Sequence, residues 1–363
     1  MIPGDIGVEL DRTLQAMRHT AAEQPHQTAL VPGAAGTWRP APTADGGGPG
    51  TYATSLPILL GRQVGRDPER LAAELAQGLA EVPWVAAARV TGPGYLTVTV
   101  TTRHLRGLPV RIIAADRASG PITAPLPDPA SAPDWERAWY RQRDALLIRI
   151  AQAVGSDDPD INSEHPYGPG RQPPPDSAPR SRTGPVAEAV AWHGSDAVRY
   201  VLARTPGPRR AAIERQLGLP ADLDNPFAVV RYAHAHAAST ARWAAELTGA
   251  ADQEGGPEEA AADPQPAELA LLDLLSWRDE RLAAASRRRR PGELCAYAEQ
   301  VAAAYLECAY TCPALACGGA AAPRDPAGPL AAARLELAGA ARAVVGDALK
   351  LTGLSLPVRV FGI

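Results

Sequence analysis

The spacing of apolar residues predicts three helices near the start of the chain. Apolar residues recur three or four apart from Ile6 to Met17, a pattern typical of an amphipathic helix. Two further helical patterns follow a Gly/Pro-rich stretch that we expect to be a loop. The last of these helices has Asp67 in its N-cap position and Pro68 at its first position. The predicted helices cover residues 5–20, 51–65 and 67–82, and the predicted loop covers residues 32–50.

A β-hairpin is predicted directly after these helices. Apolar and polar residues alternate over residues 86–101, on either side of a Gly-Pro-Gly turn at residues 92–94. Helices combined with a hairpin in this order predict a small α+β domain over residues 1–105.

Residues 106–185 have the composition of a linker. Pro- and Gly-rich stretches such as residues 120–133 hold too few large apolar residues to form a core. One helix is predicted within this segment, over residues 134–154, because its apolar pattern stops at Gly155. We therefore predict a Pro/Gly-rich linker that carries a single helix.

From residue 186 to the end the pattern is helical almost throughout. Helices separated by short breaks predict a bundle. The fold class is therefore mainly α, with a small N-terminal α+β domain, the linker and a C-terminal helical bundle over residues 186–363. The predicted helices of the bundle cover residues 186–204, 226–247, 267–290, 292–310 and 329–352.

The charge balance excludes a protein that coats nucleic acid without selectivity, because such domains are strongly basic and this chain has a formal net charge of -4. Local basic patches remain compatible with a specific RNA binder. Lys350 is the one lysine among 36 basic residues, and Ala, Gly and Pro are abundant. This bias is typical of a GC-rich genome, so an isolated surface arginine needs no functional reason.

Neither a membrane nor a metal is indicated. The sequence has no run of 18 apolar residues, and its N-terminus carries acidic residues where a signal peptide has an apolar core. We therefore expect a cytoplasmic protein. The cysteines lack the paired spacing of a zinc site, so we expect reduced thiols and no bound metal. They are Cys295, Cys308, Cys312 and Cys317.

Two motifs in the predicted bundle carry a resemblance to a known family. The segment HGSDAVRYVLART begins at residue 193 and DLDNPFAVVRYAHAHAAS begins at residue 222. They resemble the DALR anticodon-binding domain of arginyl-tRNA synthetases, in which an Asp-Ala-Leu-Arg-like helix start precedes an Asn-Pro helix with Tyr-Ala-His-Ala. The likeness continues through YLECAYTCPAL and DALKLTGLSLP. The first motif corresponds to Asp196, Ala197, Val198 and Arg199, and the second to Asn225, Pro226, Tyr232, Ala233, His234 and Ala235.

The N-terminal residues resemble the additional domain of the same family. The segments GTYATSLPILLGRQVG, DPERLAAELAQGL and VTGPGYLTVTV are similar to that domain and stand in the same order. The resemblance covers about residues 1–105 and 186–363. It implies the fold class given above and a relation to tRNA.

The family's catalytic domain has no counterpart in the sequence. The resemblance implies a Rossmann domain with a His-x-Gly-His turn and a Lys-Met-Ser-Lys loop, and such a domain needs more than the 80 residues between the two matched regions. No histidine lies in a His-x-Gly-His context, and the only lysine, Lys350, lies in ALKLTG. We interpret residues 180–184, RSRTG, as an eroded remnant of the second motif. We therefore expect no catalytic residues, no ATP or arginine site and no cofactor.

The resemblance assigns tRNA contacts to the hairpin. In the family, a Tyr after Gly-Pro-Gly and an Asn two residues later read a D-loop adenine. This chain has Tyr95 in the first place and Thr97 in the second. A Tyr ring can stack on an unpaired base, whereas Thr offers one hydroxyl in place of the paired donor and acceptor of Asn. The alternative is that Tyr95 only packs on the domain core.

Further candidate tRNA contacts lie in the bundle. Arg231, Tyr232 and His236 lie on adjacent turns of one predicted helix, where Arg can bind phosphate and Tyr can stack on a base. We expect His234 to be a structural hydrogen-bonding residue. Arg287 and Arg288 belong to a run of four arginines at a predicted helix C-terminus, which either contacts phosphates or only stabilises the helix end.

Other conspicuous residues are predicted to be structural. Asp196 and Arg199 suit a helix N-terminus and an internal ion pair. Tyr305 and Tyr310 are predicted to lie in the core.

The sequence is compatible with three functions. The first is a non-catalytic tRNA-binding protein, with tRNA(Arg) as its expected partner and arginyl-tRNA synthetase or another protein as a further one. The second is a protein-interaction scaffold that has lost RNA affinity, and the third is an accessory subunit of a split arginine-tRNA ligase. Retention of both tRNA-facing regions favours the first, while the net charge and Thr97 favour the second.

Overall fold

The computed structural model describes residues 2–20, 38–41, 47–155, 184–248, 263–315 and 328–359. These residues form two compact units. The first combines Met1–Arg111 with Glu268–Ala283, and the second combines Ile112–Ala267 with Ala284–Ile363.

The described part is mainly helical, with a small antiparallel sheet near the N-terminus, as the sequence predicts. The strands are β1 (Trp38–Pro40), β2 (Thr51–Thr54), β3 (Val85–Thr91) and β4 (Tyr95–Val100). The helices are α1 (Ile2–Thr20), α2 (Leu56–Val64), α3 (Pro68–Ala80), α4 (Thr102–Arg106), α5 (Leu108–Ala118), α6 (Trp135–Val154), α7 (Pro185–His193), α8 (Ser195–Arg204), α9 (Arg210–Leu217), α10 (Pro226–Thr248), α11 (Pro266–Ser276), α12 (Arg278–Arg287), α13 (Gly292–Thr311) and α14 (Pro329–Thr352). None of the helices in these ranges is long and apolar enough to cross a membrane.

The first unit is built on the sheet, whose strands run in the order β1-β2-β4-β3 and pair antiparallel throughout. Helix α3 packs against β3 and β4. Its Asp67 N-cap accepts a hydrogen bond from Arg70 N at 3.2 Å, which confirms the predicted helix start. Apolar residues of β4 and of one side of α3 are buried and form the core between them. These residues are Leu71, Leu75, Leu79, Leu96, Val98 and Val100.

A distant segment completes the core of the first unit. The Tyr52 hydroxyl on β2 donates to Ser276 Oγ at 2.8 Å, and the Tyr52 ring lies 5.3 Å from the ring of Trp277. Nearby, Gly50 N donates to Asp273 Oδ1 at 2.9 Å. Residues 268–283 therefore belong with the first hundred residues, although the sequence analysis places them in the bundle.

The second unit is a helical bundle in which α10, α13 and α14 pack against one another. A second cluster of buried side chains joins α6 to α7, α8 and α9. Trp139 on α6 anchors this cluster, because its Nε1–H donates to Thr205 O at 2.8 Å while its ring packs among aliphatic residues. Helix α6, which the sequence predicts inside a linker, is therefore part of a core.

Charged residues close the end of α14. Arg149 on α6 donates from Nε to Leu351 O at 2.8 Å and from Nη2 to Lys350 O at 2.7 Å, while Arg199 on α8 donates to Gly353 O at 3.3 Å. Cations are favoured at helix C-termini, where carbonyl groups lack partners within the helix. Burial lowers the pKa of Arg149, and the nearby Arg199 charge lowers it further.

Asp196 and Arg199 are structural, as expected, but they do not form the expected internal ion pair. Asp196 instead accepts hydrogen bonds from Ser355 N and Oγ, and Arg199 reaches the carbonyl of Gly353. Both side chains therefore hold the segment that follows α14. The expectation of an ion pair was wrong because residues three apart on a helix can also point to partners outside it.

The structure differs from the predicted elements in several places. Residues 51–54 are a strand rather than helix, and residues 38–40 form a short strand inside the predicted loop. Gly194, with φ of 85°, divides the first predicted helix of the bundle, and the predicted helix over residues 267–290 is interrupted at Trp277. Helices α4, α5 and α9 lie where no helix was predicted.

Candidate nucleic-acid interface

One row of side chains crosses the sheet of the first unit from edge to edge. Arg39 on β1 pairs with Ala53 on β2, Ala53 with Thr97 on β4, and Thr97 with Arg89 on β3. The two arginines are exposed, while Ala53 and Thr97 are buried between their neighbours. Because strands lie about 4.8 Å apart, the arginines at the ends of the row are about 14 Å apart at their Cα atoms.

Tyr95 lies beside this row, at the start of β4. The guanidinium carbon of Arg39 is 4.5 Å from the centre of the Tyr95 ring, which is a cation–π contact across the small Ala53. Tyr95 is half-buried, so its ring remains partly open to solvent. The pair combines a positive charge with a stacking surface, the two features that bind a nucleotide without reading its sequence.

Thr97 does not offer its hydroxyl to the surface. Its exposed fraction is 1%, and its Oγ1 lies 2.9 Å from Thr91 Oγ1, within hydrogen-bonding distance. The side chain that stands in place of the family's Asn is therefore engaged with a neighbouring strand. In this arrangement Thr97 has no exposed polar group that could contact a base edge.

The candidate residues on α10 point to three different sides of the helix. Tyr232 and His236 are one turn apart on the side next to α13, where their rings lie 5.9 Å apart. Arg231 lies over the ring of Phe227, with its guanidinium carbon 5.1 Å from the ring centre. His234 faces the segment after α14. The structure therefore brings Tyr232 and His236 together and separates them from His234.

His236 is held by the neighbouring helix. A hydrogen bond of 2.9 Å joins its Nδ1 to the hydroxyl of Tyr305 on α13. Burial lowers the pKa of His236, so the imidazole is neutral at pH 7. Burial also raises the pKa of Tyr305, which stays protonated. Tyr305 is buried, which confirms its predicted place in the core.

His234 is a structural residue, as expected. It is buried, and its Nδ1–H donates to Pro357 O at 2.8 Å. A Cβ atom at Gly346 would lie 3.4 Å from His234 Nε2, at ordinary van der Waals distance, so α14 packs beside this ring. Burial lowers the pKa of His234, although its bond to Pro357 acts in the opposite direction.

Arg231 combines an apolar and a polar feature. Its guanidinium covers the Phe227 ring, and its Nε is buried without a hydrogen-bond partner among the described residues. The Nε–H is closed off from solvent, so only the exposed part of this half-buried guanidinium is open to a phosphate oxygen.

Sequence reasoning missed exposed apolar residues on the same helix. Trp243 and Leu247 are 54% and 61% exposed, and helical periodicity places them on the side of α10 that carries Tyr232 and His236. That periodicity was visible in the sequence. Tyr310 on α13 is 88% exposed, so its predicted place in the core was wrong. It lies near the end of α13, where fewer neighbours cover the helix.

Arg287 and Arg288 lie where α12 ends, and both are exposed. Arg288 Nη1 is 3.2 Å from Glu293 Oε2. The predicted remnant motif at residues 180–183 lies outside the described residues, and Gly184 precedes α7 as its N-cap.

The described cysteines are buried thiols. Burial raises the pKa of Cys295 to about 12, which keeps this thiol protonated. Cys308 and Cys312 are also buried thiols outside any disulfide, and Cys317 lies outside the described residues. Within those residues no group of His, Cys, Asp or Glu side chains is arranged to hold a metal ion.

Part of the bundle matches a known domain family. Residues 230–360 match the model of the DALR anticodon binding domain. The chain is 30% identical over 217 residues to an arginine–tRNA ligase of Paenarthrobacter aurescens, which is 59% of this chain and 38% of that ligase. It is 34% identical over 175 residues to the corresponding ligase of Micrococcus luteus, covering 48% and 31% of the two chains. The chain thus spans less than two fifths of the curated relatives it matches.

The fold is shared with a solved structure. Arginyl-tRNA synthetase of Thermus thermophilus superimposes with a TM-score of 0.55 at 14% identity, over 99% of this chain and 100% of that chain. The matched residues place a DALR anticodon binding domain in the C-terminal part of the chain. Over about half of its length, the chain is similar to arginine–tRNA ligases.

Proposed function

We propose that this protein is a non-catalytic tRNA-binding protein that binds tRNA(Arg) through the sheet face of its first unit and through α10 of its second. The observation that carries the proposal is the DALR anticodon binding domain at residues 230–360. The chain retains aromatic and arginine side chains on both surfaces.

The sheet face is suited to an unpaired loop of RNA. Tyr95 supplies a ring on which a base can stack. The guanidinium of Arg39, which contacts that ring, can move to bind a phosphate oxygen. Because Thr97 is buried against Thr91, it acts in this proposal by supporting the sheet beneath Tyr95. We therefore propose binding by stacking, with little selectivity for the base.

The face of α10 is suited to the anticodon stem and loop. Tyr232 and Trp243 offer partly exposed rings on one side of the helix, with the neutral His236 between them. Arg231, which is half-buried, adds a positive charge on the adjacent side. Arg287 and Arg288 are proposed as phosphate contacts at the end of α12.

Absence of catalysis is part of the proposal. The sequence contains no His-x-Gly-His motif, and its only lysine, Lys350, is 2.7 Å from Asp116 and 3.7 Å from Asp347. A lysine held between two carboxylates at the end of α14 is placed to stabilise that helix rather than to bind ATP phosphates. We propose that the protein has no ligase activity, takes no cofactor and works in the cytoplasm.

A filter-retention assay tests the proposal. The purified chain is mixed with total tRNA at moderate salt, and the retained RNA is sequenced. Enrichment of tRNA(Arg) is the expected result, with weaker retention by Tyr232→Ala and unchanged retention by the matched Tyr232→Phe. The same preparation should attach no arginine to tRNA when ATP and arginine are supplied.

A protein-interaction scaffold is the second candidate. The net charge of -4 and the buried Thr97 favour it, because both weaken selective RNA binding. Retention of no RNA together with stable association with arginyl-tRNA synthetase or another protein would establish this function. Restoration of ligase activity by a separately encoded catalytic chain would instead establish an accessory subunit of a split ligase.

A further inference from the structure

The turn that follows α12 has an unusual backbone. Arg290 N donates to Ala285 O at 3.0 Å and Arg289 N donates to Ser286 O at 2.9 Å, so the helix ends in a Schellman motif. Arg289 occupies the left-handed position of that motif with φ of 53°, and it is the one residue other than glycine with a positive φ in the described part of the chain. Glycine is the usual residue there because a side chain makes this conformation unfavourable.

The turn also concentrates exposed positive charge. The side chains of Arg288 and Arg290 are 60% and 73% exposed, and both contact the same carboxylate, Glu293, at 3.2 and 3.8 Å. One carboxylate cannot neutralise two guanidinium groups. Exposed ion pairs contribute little to stability, so a phosphate oxygen can replace Glu293 at small cost.

The backbone of the turn is held by contacts with α6 and α8. Arg143 Nη2 on α6 donates to Arg289 O at 3.3 Å, and the Arg143 guanidinium also lies 5.8 Å from the ring of Trp139. On the other side, a Cβ atom at Gly292 would lie 3.0 Å from Arg204 O, so the backbone of the turn rests against the end of α8. A turn that is rigid before binding loses little conformational freedom when a ligand arrives.

We propose that residues 288–290 form a phosphate clamp for the backbone of RNA, in which Arg288 and Arg290 each contact one phosphate. This inference rests on the proposed function, and it specifies a contact that reads charge and not sequence. The guanidinium fork matches phosphate oxygens, and two arginines separated by one residue on a fixed turn can bind consecutive phosphates. The left-handed conformation of Arg289 reverses the chain at the end of α12, so that Arg288 and Arg290 lie on one tight turn.

Salt dependence tests the clamp. Each phosphate contact contributes about 0.7 to 0.9 to the slope of log affinity against log salt concentration. Binding of in vitro transcribed tRNA(Arg) is measured for the wild type and for the double variant R288Q/R290Q at salt concentrations from about 50 to about 300 mM. We expect the slope to fall by about 1.4 to 1.8 and the affinity at low salt to fall about tenfold or more.

A matched double variant controls for the loss of two charges. R12Q/R117Q removes exposed arginines from α1 and α5 and should leave the slope unchanged. Thermal unfolding of each variant establishes that it is folded.

The outcomes separate the clamp from the proposed function. If the wild type binds no tRNA, both are overturned. If the wild type binds and R288Q/R290Q binds equally well with the same slope, the clamp is overturned and the proposed function stands. Binding of polyglutamate is measured in parallel as a probe for acidic proteins. If the wild type binds polyglutamate and R288Q/R290Q does not, while both bind tRNA equally, the clamp is overturned and the turn is assigned to an acidic protein partner.

Discussion

The Asp196 carboxylate accepts hydrogen bonds from both the backbone N–H and the hydroxyl of Ser355, with 3.0 Å between Ser355 N and Oδ2. Asp196 is the first residue of the motif that resembles the DALR domain, and Ser355 follows the last helix of the bundle. The first charged residue of the motif therefore joins the start of α8 to the end of α14. In this chain Asp196 therefore has a structural role, which is to link two helices of the bundle.

Replacing Asp196 by Ala should lower the free energy of unfolding by about 1 kcal/mol, because two hydrogen bonds are lost at an exposed site. Urea unfolding followed by circular dichroism measures this. In the double variant D196A/S355A the two effects should be less than additive, since S355A removes one of the two hydrogen bonds that D196A removes. Additive effects would show that the two residues are not coupled.

Replacing Arg149 by Ala should destabilise the bundle by about 2 to 3 kcal/mol, because a charged donor to the last carbonyls of α14 is removed from a partly buried position. Arg149→Lys keeps the charge but not the forked geometry, so it should lie between the wild type and the Ala variant. Chemical unfolding again provides the measurement. A Lys variant as stable as the wild type would mean that charge alone supports the helix end.

Stability should fall as the pH drops below about 6.5, which is the ordinary pKa of histidine. Burial lowers the pKa of both His234 and His236 in the folded protein. The unfolded chain then binds more protons than the folded one in this range, which favours unfolding. Their stabilising contribution is therefore present above the unfolded pKa and is lost as the pH falls toward the folded values.

The comparison of variants isolates this effect from other titrating groups. The free energy of unfolding between pH 7.5 and 5 should decrease less steeply in H236N than in the wild type. His193 is exposed on α7, so H193N is the matched control and should follow the wild-type curve. Identical curves for H236N and the wild type would contradict a lowered pKa at His236.

Tyr95 and Thr97 should behave differently when replaced. Tyr95→Ala should weaken tRNA binding about tenfold because a stacked base is worth roughly 1 to 3 kcal/mol, whereas Tyr95→Phe keeps the ring and should bind normally. Thr97→Val should leave tRNA binding unchanged and cost about 1 kcal/mol of stability, since its hydroxyl faces Thr91. Weaker binding by a fully folded Thr97→Val would assign that hydroxyl to the RNA.

Arg289→Gly should be more stable than Arg289→Ala by about 1 kcal/mol, because glycine adopts the left-handed conformation without a steric cost. Both variants lose the same charge, so both should bind tRNA more weakly than the wild type to a similar degree. Unfolding and binding are measured on the same preparations. Equal stability of the two variants would show that the backbone at this position carries no strain.

Local signals in the sequence were sufficient for much of the fold. The Asp67 N-cap, the left-handed Gly155 that ends α6 and the turn between β3 and β4 were all predicted from neighbouring residues. These features depend on interactions within a few residues, which a sequence displays directly.

Features that depend on distant residues were not predictable in this way. The partners of Asp196 and Tyr52 lie more than 150 residues away, and no local pattern connects them. Residues 121–133 look like linker, yet Ala124 and Ala132 are buried because other elements cover them. For the candidate site, residue types suggested the aromatic and basic groups, but only the structure places Thr97 inside the sheet and Arg39 over Tyr95.

The partnership of Tyr52 with Ser276 and Trp277 also orders events during synthesis. The first hundred residues leave the ribosome well before the residues that accept the Tyr52 hydroxyl and cover its ring. Until about residue 283 has emerged, the nascent N-terminal unit exposes a large apolar side chain that the finished protein buries completely. Most of the N-terminal unit is therefore synthesised before the residues that complete its core. A chain released before those residues are made would expose apolar surface that chaperones recognise.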